Sequence, residues 1–137
     1  VAIAIDKKRK IIYAKEELYK SKITISEIYR INRQRAGRNL IIADSASAGT
    51  IAELQKLGLN IRGAKKGAGS IAAGVALIQD YELVVHPDSI NMAKELNNYV
   101  YTDKGSNLFC AMYDHSLDAL RYGVSHLLAN RGKVEIR

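Results

Sequence analysis

Short apolar runs that alternate with amphipathic segments indicate an α/β fold. Residues 40–43 are all apolar and bounded by polar side chains, which predicts a strand buried on both faces. Residues 50–58 then predict a helix of about two turns, and residues 59–64 predict a second strand. This βαβ order favours a largely parallel core, in which ligands lie beyond the carboxyl ends of the strands. Asp44 directly follows the first strand and is the first candidate for chemistry.

A second helical pattern lies near the end of the chain. In a helix, His115 and Asp118 are three positions apart and share a face. The opposite face is predicted to enter the core through Leu117, Leu120, Val124 and Leu127. If this helix packs beside the strand that precedes Asp44, then Asp44, His115 and Asp118 converge on one spot rich in oxygen and nitrogen atoms.

The first part of the chain predicts a hairpin and a helix. Residues 1–6 and 11–14 flank the basic run 7–10, a pattern typical of a β-hairpin. A solvated tip is the favoured interpretation of the basic run, and contact with phosphate is the alternative. Thr24 or Ser26 would cap the helix that follows. Its apolar face is Ile25, Ile28, Tyr29 and Ile31, and its far end carries Arg30, Arg33, Arg35 and Arg38. Those arginines complement the helix dipole, and DNA contact is the less favoured interpretation.

Two further segments complete the pattern. Residues 81–87 predict another buried strand that ends at Pro87, with His86 as a turn residue rather than a ligand. Residues 90–101 predict a helix whose apolar face is Ile90, Ala93, Leu96 and Val100.

In the helix 50–58, Thr50 and Glu53 have the spacing of a capping box, and Gly58 marks its end.

Lys65 and Lys66 open a glycine-rich segment at the carboxyl end of the second strand, and a helix over residues 71–79 follows. Backbone amides at a helix start and nearby ammonium groups suit a phosphate, although a plain turn with solvated lysines fits equally well. Gly58 and Gly63 have the spacing that begins a P-loop, but Ala64 stands at the lysine position. The sequence therefore argues against an ATPase role for this chain.

Composition sets the class of protein. The 137 residues predict a single domain, 1–137, and 21 Lys and Arg against 14 Asp and Glu favour a polyanionic partner, with ordinary solubility charge as the alternative. The single cysteine, Cys110, indicates a reducing, cytoplasmic location. No apolar run approaches the roughly 20 residues of a membrane span. The chain starts at Val1 inside a strand pattern and without Met, which predicts either a fragment or a leader that precedes Val1.

A series of short motifs carries a family resemblance. The motifs are residues 43–46, 50–54, 57–61, 64–67 and 114–122. In this order they closely resemble the C-terminal nuclease domain of the large terminase subunit of tailed bacteriophages and prophages, over nearly the whole chain. The resemblance implies a ribonuclease H-like mixed β-sheet flanked by helices, with an N-terminal β-hairpin.

The resemblance also implies an activity. Such domains are metal-dependent endonucleases that cut concatemeric double-stranded viral DNA during genome packaging. Asp44 matches the family's central-strand carboxylate, Asp118 the carboxylate on the last helix, and His115 the metal-proximal position one turn earlier. These three are the expected catalytic residues and metal ligands, and Lys65 and Lys66 match a basic segment near the DNA path.

The implied cofactors and partners follow from the same family. The cofactor is Mg²⁺ or Mn²⁺, with two ions about 4 Å apart to activate water and neutralise the developing charge. The partners are double-stranded DNA and, in the full-length protein, an ATPase domain, the portal and the small terminase subunit, with no membrane. The expected location is the cytoplasm of the bacterial host.

The chain departs from the family pattern in two places. The family's first catalytic aspartate lies on a strand just before the segment that matches Val1, and Asp6 is no substitute because it lies at the turn end of the following strand. The family commonly has an acidic residue and a proline after Asp-Ser-Ala, where this chain has residues 47–49 as Ser-Ala-Gly. The resemblance thus predicts that this fragment lacks one catalytic aspartate.

Several alternatives stay open. Asp44 fits a helix cap, and Asp118 with Arg121 fits a surface pair three positions apart. A resolvase or integrase of the same fold is a rival enzyme. A packaging module that binds DNA without cutting it is the rival outside enzymes.

Overall fold

The computed structural model describes residues 1–98 and 115–129 and divides the chain into two compact units. The first unit contains residues 1–19 and 67–137, and the second contains residues 20–66. The single domain predicted over residues 1–137 stays a prediction. The end of the predicted helix 90–101 and Cys110 lie outside the described residues, as do residues 102–107, whose Asp and Gly content predicts a turn, and residues 130–137 at the end of the chain.

The described elements alternate between strands and helices. In chain order they are β1 (Ala2–Asp6), β2 (Ile11–Lys15), α1 (Ile25–Ala36), β3 (Ile41–Ala43), a 3-10 turn (Ser45–Ser47), α2 (Ala48–Lys56), β4 (Ile61–Gly63), α3 (Ser70–Gln79), β5 (Glu82–Val85), α4 (Ile90–Asn98) and α5 (His115–Ala129). Within these described ranges, no helix is both long and apolar enough to cross a membrane.

The first unit is built on the N-terminal hairpin. β1 and β2 pair antiparallel, with Ile3 opposite Ala14, and β5 pairs parallel with the other edge of β2. The turn between β1 and β2 is closed by Asp6, whose carboxylate accepts a bond of 3.0 Å from the Arg9 backbone amide. The predicted hairpin is confirmed. β5 alternates between exposed and half-buried residues, so the prediction that it is buried throughout is wrong.

Helix α5 supplies much of the core of this unit. The buried apolar cluster consists of Ile12, Ala14, Met92, Leu117, Leu120, Val124 and Leu128. Three of the four positions predicted on α5 are buried, but Leu127 is 40% exposed and Leu128 is 6% exposed. The predicted core position Leu127 is wrong because a step of four residues from Val124, rather than three, continues the buried face.

The second unit confirms the predicted βαβ arrangement. β3 and β4 pair parallel, with Ile41 opposite Ile61. The core is formed by Ile51, Leu54, Leu59 and Ile61, against which α1 packs Ile25, Ile28 and Tyr29. The residues of β3 are all half-buried rather than fully buried on both faces.

Helix α2 begins earlier than its sequence indicates. Its first residue is Ala48, preceded by Ser47 as N-cap, so Thr50 and Glu53 lie inside the helix and the predicted capping box is wrong. The predicted end is confirmed, because the chain leaves the helix at Gly58 with φ of +105°, a conformation that glycine adopts without strain.

Helix α4 turns a different face inward from the one predicted. Ile90 is 63% exposed and Leu96 is 37% exposed, whereas Met92 and Glu95 are buried. The prediction assumed that the apolar residues of the helix face inward. Instead, the polar side chains of Ser89 and Glu95 are buried, and each makes a hydrogen bond inside the unit. These bonds make the burial of polar positions possible and set the rotation of the helix.

Candidate functional site

Asp44 lies where β3 ends, as the sequence predicts. Its Oδ1 accepts a bond of 2.9 Å from the Ala46 amide and so caps the 3-10 turn. Gly63 allows this turn to pack closely against β4, because a Cβ at position 63 would be only 3.1 Å from the Cβ of Ser45. The side chain of Asp44 is 48% exposed, so a carboxylate that serves as a cap also reaches solvent.

Lys65 and Lys66 follow β4 at the same edge of the parallel pair as Asp44. The Ala64 amide donates to the Ala43 carbonyl at 2.7 Å, which continues the ladder to the point where both strands end. Lys66 Nζ then donates to Asp44 Oδ1, while Lys65 is exposed. The predicted juxtaposition of the basic segment with Asp44 is confirmed within the second unit.

His115 and Asp118 lie on the first turn of α5, in the first unit. Asp118 Oδ1 accepts a bond of 2.9 Å from Arg121 Nη2, and the Arg121 guanidinium lies 4.8 Å from the centre of the Tyr122 ring. The side chain of Arg121 is 8% exposed and that of Asp118 is 34% exposed. The buried arginine therefore holds a carboxylate that remains open to solvent. The Asp118–Arg121 pair predicted as an alternative is present, but it is partly buried rather than a surface pair.

A buried carboxylate that the sequence interpretation missed lies at the start of α5. Glu95 is 3% exposed, and its Oε1 accepts bonds from the amides of Ser116 at 2.9 Å and Leu117 at 3.1 Å. The signal in the sequence was a three-residue spacing of buried positions: Ser89 just before α4, then Met92 and Glu95 within it. Because two of these are polar, apolar periodicity did not find them.

The remaining predicted residue, His86, is a turn residue as expected. Its Nδ1 accepts a bond of 3.1 Å from the Asp88 amide. Across residues 1–98 and 115–129, no three His, Cys, Asp or Glu side chains form a group that could hold a metal ion. Asp44 belongs to the second unit, and His115 and Asp118 to the first, so their convergence stays a prediction.

Comparison with known proteins decides the family. The family model described as the terminase RNase H-like domain matches residues 1–126. The chain belongs to this family. No curated protein matches the sequence.

Solved structures agree with this terminase assignment. The nuclease domain of the large terminase of bacteriophage SPP1, solved with bound Mn, is 31% identical over 90% of this chain and 75% of that domain, with a TM-score of 0.79. The large terminase of the thermophilic bacteriophage D6E is 23% identical over 87% of this chain, with a TM-score of 0.67, and supports the fold alone. The chain spans 34% of that larger protein. The predicted ribonuclease H-like fold is confirmed.

Proposed function

We propose that this terminase nuclease domain is a divalent-metal-dependent endonuclease that cuts concatemeric double-stranded viral DNA during genome packaging. The observation that carries the proposal is the likeness to the SPP1 nuclease domain, which was solved with bound Mn. Asp44 at the end of β3 and Asp118 on α5 supply the carboxylates that such a nuclease needs. Asp44, Asp118 and His115 are the proposed catalytic residues.

The donors have the chemistry of a Mg²⁺ or Mn²⁺ site. Both carboxylates reach solvent, and hard oxygen ligands select these ions over softer ones. His115 is exposed and adds a nitrogen donor on the same turn as Asp118. A bound pair of ions would supply the charge that activates water and stabilises the leaving oxygen. Arg121 orients Asp118 through their hydrogen bond, and the capping bond from the Ala46 amide orients Asp44.

The distribution of charge supports a nucleic acid partner. Ten Lys and Arg residues but only three Asp and Glu residues lie between positions 20 and 66. The second unit therefore carries a formal charge equal to the net +7 of the whole chain. A field concentrated on one unit attracts a polyanion more strongly than the same charges spread evenly.

The exposed arginines on α1 and just after it form the proposed phosphate-contacting surface of that unit. Arg30, Arg33 and Arg38 are exposed, and within the described part of the chain none has a carboxylate partner. In the basic turn, by contrast, two of the four cations are paired, Arg9 with Asp6 at 3.9 Å and Lys10 with Asp80 at 3.0 Å. DNA contact by Arg30, Arg33 and Arg38, the less favoured interpretation from sequence, becomes the proposal. Lys65, which is exposed, extends the basic surface, and Lys66 beside it pairs with Asp44.

The wider context follows from the family. We propose that the full-length protein carries an ATPase domain and works with the portal and the small terminase subunit in the cytoplasm of the bacterial host. Two ions, either Mg²⁺ or Mn²⁺, form the proposed cofactor.

The test is nicking of supercoiled plasmid with Mn²⁺ by a protein extended upstream of Val1, where the family resemblance predicts the first aspartate. We expect Asp44→Asn and Asp118→Asn each to lower the nicking rate more than about a hundredfold. Even the loss of a group that only hydrogen-bonds a metal ligand lowers metal affinity or activity about 10- to 100-fold. Asp88→Asn is the matched control, since the Asp88 side chain is 83% exposed on the turn before α4.

Equal cleavage by all variants would remove both aspartates from the mechanism. Salt-sensitive DNA binding without metal-dependent nicking would instead identify a binding module without catalysis. Preference for junctions or DNA ends would identify a resolvase or integrase.

A further inference from the structure

The buried carboxylate of Glu95 joins three segments of the first unit. Its Oε1 accepts from the Ser116 hydroxyl at 2.7 Å, in addition to the amides of Ser116 and Leu117. Its Oε2 accepts from the Tyr19 hydroxyl at 2.9 Å. Four donors on one buried carboxyl group satisfy the acceptor capacity that makes burial of such a group tolerable.

The carboxylate occupies the place of an N-cap for α5. The first amides of a helix have no partner inside the helix, and the positive end of the helix dipole favours a negative charge there. Glu95 comes from α4, so another helix supplies the acceptor for the start of α5. The first turn of α5 is thereby attached to α4 rather than left to fray.

The residues attached in this way adjoin the proposed metal ligands. His115 directly precedes Ser116, and Asp118 directly follows Leu117, so the two bonded amides lie between them. Tyr19 adds a second link, because its hydroxyl binds Glu95 while its ring meets the His115 ring edge-on with centroids 6.5 Å apart.

We propose that Glu95, with Tyr19, is a positioning residue for the metal-binding end of α5. The proposal rests on the proposed function, since it concerns the geometry of His115 and Asp118 as ligands. Metal ligands must be held within about 0.5 Å of their working geometry, and the groups that orient them affect metal affinity although they do not touch the metal. Glu95 fixes the backbone from which both side chains extend.

A similar bond at the start of α4 provides a matched control. Glu16 accepts from the amides of Asn91 at 2.9 Å and Met92 at 3.2 Å, and from the Asn91 side chain at 2.8 Å. It is therefore also a carboxylate that holds the first turn of a helix. No proposed ligand lies on that turn, so loss of the Glu16 cap reports the cost to stability alone.

The experiment measures Mn²⁺ binding directly, by the electron paramagnetic resonance signal of free Mn²⁺, in the protein extended upstream of Val1. We expect Glu95→Gln to raise the Mn²⁺ dissociation constant about tenfold, the lower end of the range for groups behind metal ligands. Hydrogen exchange at Ser116 and Leu117 should quicken in the same variant. Glu16→Gln should lower the melting temperature and leave Mn²⁺ affinity unchanged. Tyr19→Phe keeps the cap, removes one donor, and should weaken Mn²⁺ binding severalfold even if Glu95→Gln does not fold.

The outcomes separate this proposal from the proposed function. If the unsubstituted extended protein binds Mn²⁺ and nicks DNA, but Glu95→Gln and Tyr19→Phe bind Mn²⁺ as it does, the positioning role is overturned alone. An equal loss of affinity in Glu16→Gln also overturns it, because general destabilisation then accounts for the effect. If the unsubstituted protein neither binds Mn²⁺ nor nicks DNA, the proposed function fails first.

Discussion

Both aspartates that the sequence singled out make local bonds of their own. Asp44 accepts bonds from the Ala46 amide and from Lys66, and Asp118 accepts one from Arg121. Such bonds orient a carboxylate and leave further lone pairs available, since each ionised carboxylate has about four acceptor sites. A capping or ion-pair role is therefore compatible with metal ligation, and the two interpretations of each residue are not exclusive.

Glycine at position 74 is required by the packing of α3 against α5. A Cβ there would lie 2.8 Å from Arg121 Cδ and 3.2 Å from Ser125 Oγ. We expect Gly74→Ala to lower the free energy of unfolding by about 1–3 kcal/mol, the usual cost of an added methyl group in a packed interior. The midpoint of urea unfolding measures the change.

The control for this substitution is Gly49→Ala in α2, where no atom lies within 4 Å of the added Cβ. Alanine should raise the free energy of unfolding there by about 0.5–1 kcal/mol, because it restricts the unfolded chain. Equal effects at both positions would contradict the role of the Arg121 contact.

Among the elements, the helix starts show how much of the structure depends on polar contacts. α4 and α5 each begin at a carboxylate from elsewhere in the chain, Glu16 and Glu95 respectively. α1 is different, because its cap is local. Thr24 Oγ1 accepts a bond of 3.2 Å from the Glu27 amide, which decides between the two caps that the sequence left open.

The choice of cap gives a prediction for α1. Thr24→Ala should lower the free energy of unfolding by about 1 kcal/mol, because the Glu27 amide loses its partner. Ser26→Ala should change it by less than about 0.5 kcal/mol, because Ser26 is exposed and is not the cap. Thermal unfolding followed by circular dichroism measures the stability of both variants. A larger loss of stability in Ser26→Ala than in Thr24→Ala would show that Thr24 is not the cap.

For the whole molecule, the main asymmetry is electrostatic. Residues 20–66 carry a formal charge equal to the chain's whole net charge of +7, so residues 1–19 and 67–137 are balanced. Charges that neutralise phosphates release counterions, which makes affinity for DNA fall with salt concentration. The salt dependence of binding therefore reports which unit contacts the backbone.

The paired substitution Arg30→Gln with Arg33→Gln tests this distribution. Each lost phosphate contact should reduce the slope of log affinity against log salt by about 0.9 for duplex DNA, so the double variant should lose about 1.8. Lys7→Gln with Lys8→Gln removes the same charge from the balanced unit and should leave the slope unchanged. Fluorescence anisotropy with a labelled duplex at several salt concentrations measures both. A larger change from the lysine pair would place the DNA surface at the hairpin.

Much of the fold could be predicted from the sequence, because these elements depend on the pattern of neighbouring residues along the chain. The alternation of apolar and polar residues is enough to predict the β1–β2 hairpin and the βαβ unit of β3, α2 and β4. Chain order alone puts Asp44 after a strand, and helical periodicity alone puts His115 and Asp118 on one turn. None of these conclusions requires knowledge of a partner distant in the chain.

Only tertiary structure decided which polar groups are buried. Ser89, just before α4, and Glu95 on α4 are buried because the Glu16 amide, Tyr19 and the start of α5 supply their hydrogen bonds. A sequence pattern marks such residues as exposed, since the cost of burying them is offset only by partners many residues away. The sequence by itself therefore determined where the candidate ligands lie along the chain, and the folded structure determined which residues hold His115 and Asp118 in place.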